Sequence, residues 1–318
     1  MALTYNQLQT VTREHFRPQL IDQVFKATPV LDRMKKANRL RPKGGDEIHF
    51  PVISAKNTFV QKIVKDEVFS TNRADKLTKG VVSWREYVVP ITIAKTDLQL
   101  NGGSEEKLLD LLDAEMKIAN KSLADTMATD LQAAGGSNAI DGFGAFLQSS
   151  GTYAGIASTD LSDWAANIHT LSVAGTLSLF EIQKLIGKCT DGTDRPTLLF
   201  ARQSVFDRVW TLLQADQRFA PVKDGNAGFE TLHVSGVPLM VDQYVDGSNG
   251  GTQDNHLRCI NEKYIHMAIG PGGDFEIEEV PNLKDQRVFM QRIYWMGNIY
   301  CDKLKVQGEI QTIDPDLD

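Results

Sequence analysis

Apolar residues recur at every second position in EIHFPVIS, at Ile48, Phe50 and Val52, and Gly44-Gly45 lets the chain enter this run. That period predicts a strand with one buried face. A second run, Trp84 to Ala94, carries Val88, Ile91 and Ile93 and predicts the returning strand. Pro51 and Pro90 each remove a ladder donor, which places both strands at an edge or a bulge. Between them lies KIVKDEVFSTNRADKLTKGVVSWR, a mostly polar connection. Connections longer than about 12–15 residues are uncommon in compact domains unless they serve a purpose. The pattern is that of a hairpin arm projecting from the body.

The longest helical pattern spans residues 104–134. Apolar side chains fall at Leu108, Leu112, Met116, Ala119, Leu123, Met127 and Leu131, in steps of three or four. Ser104 can cap the start, Glu105-Glu106 suit the positive end of the dipole, and Gly135-Gly136 stop it. About thirty residues at 1.5 Å rise make a rod of roughly 45 Å, against a mean helix near a dozen residues. Ahead of the hairpin, PQLIDQVFKATPVLDRMKKAN predicts two short helical pieces broken before Pro29, followed by the basic linker RLRPKGGD. Such a start promises little core of its own.

Beyond the long helix, residues 135–160 are rich in Gly and Ser and read as a crossing between two lobes. Short elements alternate from Leu177 onward. Helices are expected at Phe180–Ile186 and Ser204–Ala215, and strands at Thr197–Ala201 and Thr231–Val241, the latter as one strand or a pair. Further strands are expected at Leu257–Ile260, Tyr264–Ile269, Phe275–Val280, Arg287–Tyr300 and Lys303–Ile313, with DGSNGGTQDN a flexible loop tip. The class is α+β, without a regular internal repeat.

Composition adds three constraints. With 318 residues, 42% hydrophobic and 24% charged, the chain is of ordinary globular type. Neither a signal peptide nor a bilayer-spanning apolar run is present in the sequence, so a cytoplasmic site of synthesis is expected. Cys189, Cys259 and Cys301 are odd in number and widely spaced, which suits buried reduced thiols. The net charge of −7 is unevenly spread: residues 1–86 carry 16 basic against 9 acidic side chains, and the remainder 18 against 32. A basic front can lie on an acidic body, within one molecule or between neighbours; two independently solvated surfaces are the plainer alternative.

Candidate chemistry is sparse. The six histidines, at 15, 49, 169, 233, 256 and 266, form no HExxH and flank no Cys cluster. DGFGAF and GPGGDFE lack the spacing of a phosphate loop or a dinucleotide fingerprint and read as turns. No GxSxG elbow occurs, and the paired acids Glu278-Glu279 and Asp314-Asp316 read as solvated edges. The basic front lacks interleaved aromatics, so only weak, salt-sensitive phosphate contact is expected. No catalytic residue, metal site or cofactor is expected.

In their order and spacing these parts resemble a tailed-bacteriophage major capsid protein of the Hong Kong 97-type fold, which encapsulin shells share. HFRPQLIDQVFKATPVLDRMKK resembles the N-arm, and EIHFPVIS…VVSWREYVVPITIAKTDL the extended loop. GGSEEKLLDLLDAEMKIANKSLADTMATDL is similar to the spine helix, and SNAIDGFGAFL to the turn after it. RPTLLFARQSVFDRVWTLLQAD resembles an axial-domain strand and helix, and VSGVPLMVDQYV with DGSNGGTQDN the strand and loop at the ring axis. FEIEEVPNLKDQRVFMQRIYWMGNIYCDKLKVQGEI is similar to the closing strands. The resemblance covers nearly the whole chain, through motifs that are individually loose.

The resemblance implies an N-terminal arm at 1–46 and an extended loop at 47–96. It implies a peripheral domain at 97–143 and 271–300, and an axial domain at 144–270 and 301–318. A coat subunit building pentamers and hexamers into an icosahedral shell around phage double-stranded DNA is the implied function. Intersubunit contacts are then expected at Arg39, Arg41, Lys43, Lys62, Lys65, Asp66, Glu67, Arg73, Lys76 and Lys79, and a ring-axis loop at Asp246, Gly247, Gly250 and Gly251. Implied partners are further copies of the chain, a separate scaffolding protein, a portal, a decoration protein in some systems, and weakly held genomic DNA, with no membrane. The implied location is the virion capsid, assembled in the bacterial host cytoplasm. Some members join an extended-loop lysine to a neighbour's asparagine; Lys56, Lys62 and Lys65 lie in that region, but no asparagine or acid can be matched. An encapsulin-type compartment shell and a soluble enzyme with an insertion arm are the alternatives.

Overall fold

The computed structural model describes residues 28–37, 40–42, 44–54, 62, 65, 77–94, 105–136, 138–215, 231–245, 255–279, 288–314 and 317; of 41–42, 105–113, 215, 231, 279 and 288–289 it describes the backbone alone. The chain begins with helix α1 (Pro29–Lys36), whose Pro29 sits in the first turn while Thr28 caps it, its hydroxyl accepting from the Leu31 amide at 3.3 Å. Val30, Leu31 and Met34 are 0–2% exposed. This part of the start packs into the main core and forms none of its own. Part of the basic linker is also structured: β1 (Leu40–Pro42) pairs in parallel with β12 (Ile265–Ile269).

The hairpin differs from its sequence reading in one respect. The partner of β2 (Glu47–Ile53) is β3 (Leu77–Ser83), while β4 (Arg85–Ala94) leaves to pair with β14 (Val288–Cys301) over ten residues. The strand signal in LTKGVVS is weak because Gly80 stands at its centre, opposite Phe50. Trp84 marks the change of sheet, its indole donating to the Gly45 carbonyl at 2.8 Å. Both prolines fall where predicted: Pro51 in a two-stranded sheet, Pro90 in β4, which pairs only with β14 among the described strands.

Helix α2 (Glu105–Gln132) is the expected rod. Met116, Ala119, Leu123, Met127 and Leu131 are buried, and Gly135 takes the left-handed φ of 80° that ends it. The Gly- and Ser-rich stretch that follows is more than a crossing. It forms α3 (Phe143–Phe146) and a small ladder of β5 (Thr152–Tyr153) and β6 (Ile156–Ala157), and sends Phe143, Phe146, Ile156 and Trp164 into the core.

The remaining elements are β7 (Asn167–His169), α4 (Leu179–Lys188), β8 (Leu198–Ala201), α5 (Gln203–Ala215), β9 (Thr231–Val234), β10 (Val237–Val241), β11 (Asn255–Ile260), β12, β13 (Glu276–Glu279), β14 and β15 (Gly308–Ile313). The last strand is shorter than predicted, because the chain turns at Leu304–Gln307, where the Gln307 amide donates to the Leu304 carbonyl at 2.8 Å. Two main sheets result. One runs β1-β12-β14-β13 with β4 on the other side of β14; the other runs β7-β15-β11-β8-β10-β9. The six-stranded sheet divides two cores. Leu198 and Phe200 of β8 face the larger core with α1, α2 and α3, while Leu199 and Ala201 face a second one with α4 and α5. The class is α+β. No described helix is long and apolar enough to cross a membrane.

Candidate assembly surfaces

The β2–β3 hairpin presents two unlike faces. Ile48, Phe50, Val52 and Val82 point inward, and Phe50 stacks on Tyr300 with ring centroids 4.6 Å apart. The outward face ends in the cross-strand pair Ile53 and Leu77, 75% and 71% exposed. Single exposed apolar residues are ordinary. Two in register at the end of the described β2–β3 ladder make an exposed apolar pair.

Behind this end of the hairpin lies a cleft of about 450 Å³ lined by Pro51–Ser54, Leu161, Trp164 and a charged floor. Lys303 bonds Asp191 at 2.9 Å and Asp194 at 3.1 Å, Lys263 bonds Asp194 at 3.2 Å, and Lys305 bonds Asp163 at 3.3 Å. The Tyr264 hydroxyl, then Lys303 and Lys263, hold the Asp194 carboxyl well below the usual carboxylate range. These pairs are partly solvated, so they fix the 191–194 and 302–305 turns more than they stabilise the fold. The floor carries no activated nucleophile. It is an ionic brace beside the end of β2.

At the front, Arg33 makes a two-pronged contact with Glu262, at 2.7 and 3.0 Å, and Glu262 also accepts from the Thr197 hydroxyl at 2.9 Å. A forked guanidinium–carboxylate pair fixes orientation as well as position. The long helix is tied on two sides: the Tyr87 hydroxyl donates to Asp130 and the Tyr244 hydroxyl to Asp125, both at 2.6 Å. Burial, then the bond to Asp130, pushes the Tyr87 hydroxyl above its ordinary range. These bonds fix the long helix to β4 and to the turn after β10.

Of the residues singled out for contact, Lys62, Lys65 and Lys79 are exposed, Lys79 standing on β3 opposite Pro51. Arg41 lies in β1 opposite Ala268. Arg39, Lys43, Asp66, Glu67, Arg73 and Lys76, and the loop residues Asp246, Gly247, Gly250 and Gly251, lie outside the described residues. The three cysteines are buried and free. Buried His169, His256 and His266 each meet a carboxylate, of Glu181, Glu309 and Asp302. No described group of three or more His, Cys, Asp or Glu side chains is arranged to hold a metal ion. Sequence reasoning missed Ile53 because it ends an apolar strand run, and Leu77 because it lies in a stretch read as a polar connection. It missed Arg33 and Glu262 because 229 positions separate them.

No family model matches the sequence, and no curated protein matches it. Solved structures do. The chain is similar to the capsid asymmetric unit of cyanophage A-1(L), with a TM-score of 0.61 and 13% identity over 87% of this chain and 90% of that one. The capsid of the empty GTA particle aligns with a TM-score of 0.60 and 11% identity over 90% and 96% of the two chains. The SrpI encapsulin of Synechococcus elongatus PCC 7942 aligns with a TM-score of 0.58 and 9% identity over 92% and 90%. The chain has the Hong Kong 97-type capsid fold.

Proposed function

We propose that this chain is a major capsid protein, a structural subunit and not an enzyme, that assembles through pentamers and hexamers into an icosahedral shell around phage double-stranded DNA. The observation that carries the reading is the end-to-end character of the likeness: nine-tenths of this chain pairs with nine-tenths or more of chains that form shells. On this reading residues 1–46 are the arm, 47–96 the extended loop, 97–143 with 271–300 the peripheral domain, and 144–270 with 301–318 the axial domain.

The physical features agree with the role. The basic front and acidic body favour contact between copies, and electrostatic complementarity sets register while buried area supplies affinity. A permanent assembly of this kind buries on the order of 2,000 Å² or more per interface. Further partners on this reading are a scaffolding protein, a portal, in some systems a decoration protein, and DNA held weakly. The shell builds in the host cytoplasm and ends as the virion capsid. An encapsulin-type compartment is the second reading, favoured by the alignment with SrpI.

Shortening the loop tests the role. Replacing residues 57–74 by a short Gly-Ser linker spares β3, which starts at Leu77. The variant subunit is expected to fold and to bind scaffold but not to close shells. Normal particles from it would sink the assignment of the arm.

A further inference from the structure

A buried polar seam joins the last turn of α2 to the six-stranded sheet. Gln132 donates from its side-chain amide to Asp242 at 2.8 Å. Its side-chain oxygen and, at 3.0 Å, its main-chain carbonyl both accept from the Arg258 guanidinium, which thereby caps the helix. On its other side the Arg258 Nε lies 3.6 Å from Glu309, and Glu309 is bonded to His256. The second Asp242 oxygen accepts from the Tyr244 amide at 3.0 Å, and the Tyr244 hydroxyl returns to Asp125 on α2. Asp242, Arg258 and Glu309 are 2–3% exposed, and His256 is 8% exposed.

The charges in this seam do not balance. Two carboxylates, Asp242 and Glu309, face one guanidinium, so with a neutral imidazole the seam holds one negative charge in excess. An uncompensated buried charge is costly, and one proton removes it. Asp242 and His256 are the groups placed to carry it. Glu309 has both Arg258 and His256 beside it, whereas the direct hydrogen-bond donors to Asp242, Gln132 and the Tyr244 amide, are neutral. Arg258 is the charge nearest to Asp242, and Asp125 reaches the same turn only through Tyr244. Burial pushes the Asp242 carboxyl up to about 6, and pulls Arg258 down to about 10, where it stays charged throughout.

We propose that the seam is a proton-responsive joint: uptake of one proton at Asp242 tightens the docking of the α2 end on the six-stranded sheet, and its loss toward neutral pH loosens it. The direction follows from linkage. An acid bound more tightly by the folded chain contributes stability below its unfolded pKa, near 3.8, and that contribution is lost as pH rises to about 6. The joint is a property of the fold, independent of whether the subunits close into shells.

Asp242→Asn fixes the neutral state and supplies the test. In the full chain it should melt above the wild type near pH 7.5, by about 4 °C for a chain of this length; the gap should narrow by roughly half near pH 5 and close only as pH falls below about 3.8, where the unfolded Asp is protonated too. Amide exchange at Met127–Gln132, corrected for intrinsic rates, should be more protected near pH 5 than near pH 7.5 in the wild type and equal in the variant. A melting gap that does not change with pH overturns the proposal. So does loss of the pH dependence in His256→Gln but not in Asp242→Asn. Should Asp242→Asn not fold, infrared spectra of the wild type labelled with carboxyl-¹³C aspartate decide: a buried protonated carboxyl disappearing near pH 6 supports the joint, and its absence refutes it.

Discussion

Gly80 lies directly beneath the ring of Phe50: a β-carbon built on it would stand 2.5 Å from Cζ of that ring. The two face each other across the β2–β3 ladder, and the ring is held from behind by Tyr300. Phe50 is 3% exposed and has no free direction in which to retreat. Gly80→Ala is therefore expected to cost about 1–3 kcal/mol through overpacking. A denaturant midpoint equal to the wild type would show that the ring is less confined than its contacts indicate.

Ile53 and Leu77 should matter for association and not for folding. Replacing both with Asp removes an exposed apolar pair, and such surface changes usually alter stability by no more than about 0.5 kcal/mol. The variant should unfold with the wild type but sediment as smaller species under conditions where the wild type assembles. Unchanged particles would mean this face stays solvated in the shell.

Arg33 should hold the front helix. Arg33→Met leaves the Glu262 carboxylate without its forked partner, and loss of hydrogen bonds to a charged group costs about 1.5–3 kcal/mol. Limited proteolysis should then cut near α1 at protease levels the wild type resists. Glu262→Gln should weaken the same contact less, because Thr197 and one prong of the fork still find an oxygen. Equal resistance in all three chains would contradict the anchor.

Glu181 should set part of the acid limit. Its carboxylate accepts from the Ser172 hydroxyl and His169, and from Lys184 at 3.2 Å, and these bonds hold it down to about 2 against 4.5 when unfolded. A depressed carboxylate contributes stability above the unfolded value, and that contribution is lost as pH falls from about 4.5 toward 2. The sign is opposite to that at Asp242. Glu181→Gln should lag the wild type most above pH 4.5, with the two denaturant midpoints converging in acid; a constant gap would exclude this role.

Much of this architecture was written locally. The step-of-three-or-four stripe from Met116 to Leu131 gave the long helix within a residue or two, and Ile48, Phe50 and Val52 gave both the strand and its buried face. Where local pattern was weak, long-range packing decided. Gly80 dilutes the strand signal of LTKGVVS, yet the strand exists because only Gly leaves room for Phe50. SNAIDGFGAFL reads as linker by its glycines, yet Gly142 and Gly144 are there because a β-carbon would meet the backbone at the end of the long helix, at 2.3 and 2.7 Å. Arg258 is the extreme case. It stands in the apolar-flanked run NHLRCI, and nothing nearby in sequence announces the helix end, 126 positions away, that it caps.

The most direct test of the account is to express the chain, alone and with the scaffolding protein that the proposed function calls for, and examine it by sedimentation velocity and negative-stain electron microscopy. The account predicts closed shells, or rings of five and six subunits, from at least one of the two preparations. A persistent 35.3 kDa monomer in both would contradict it.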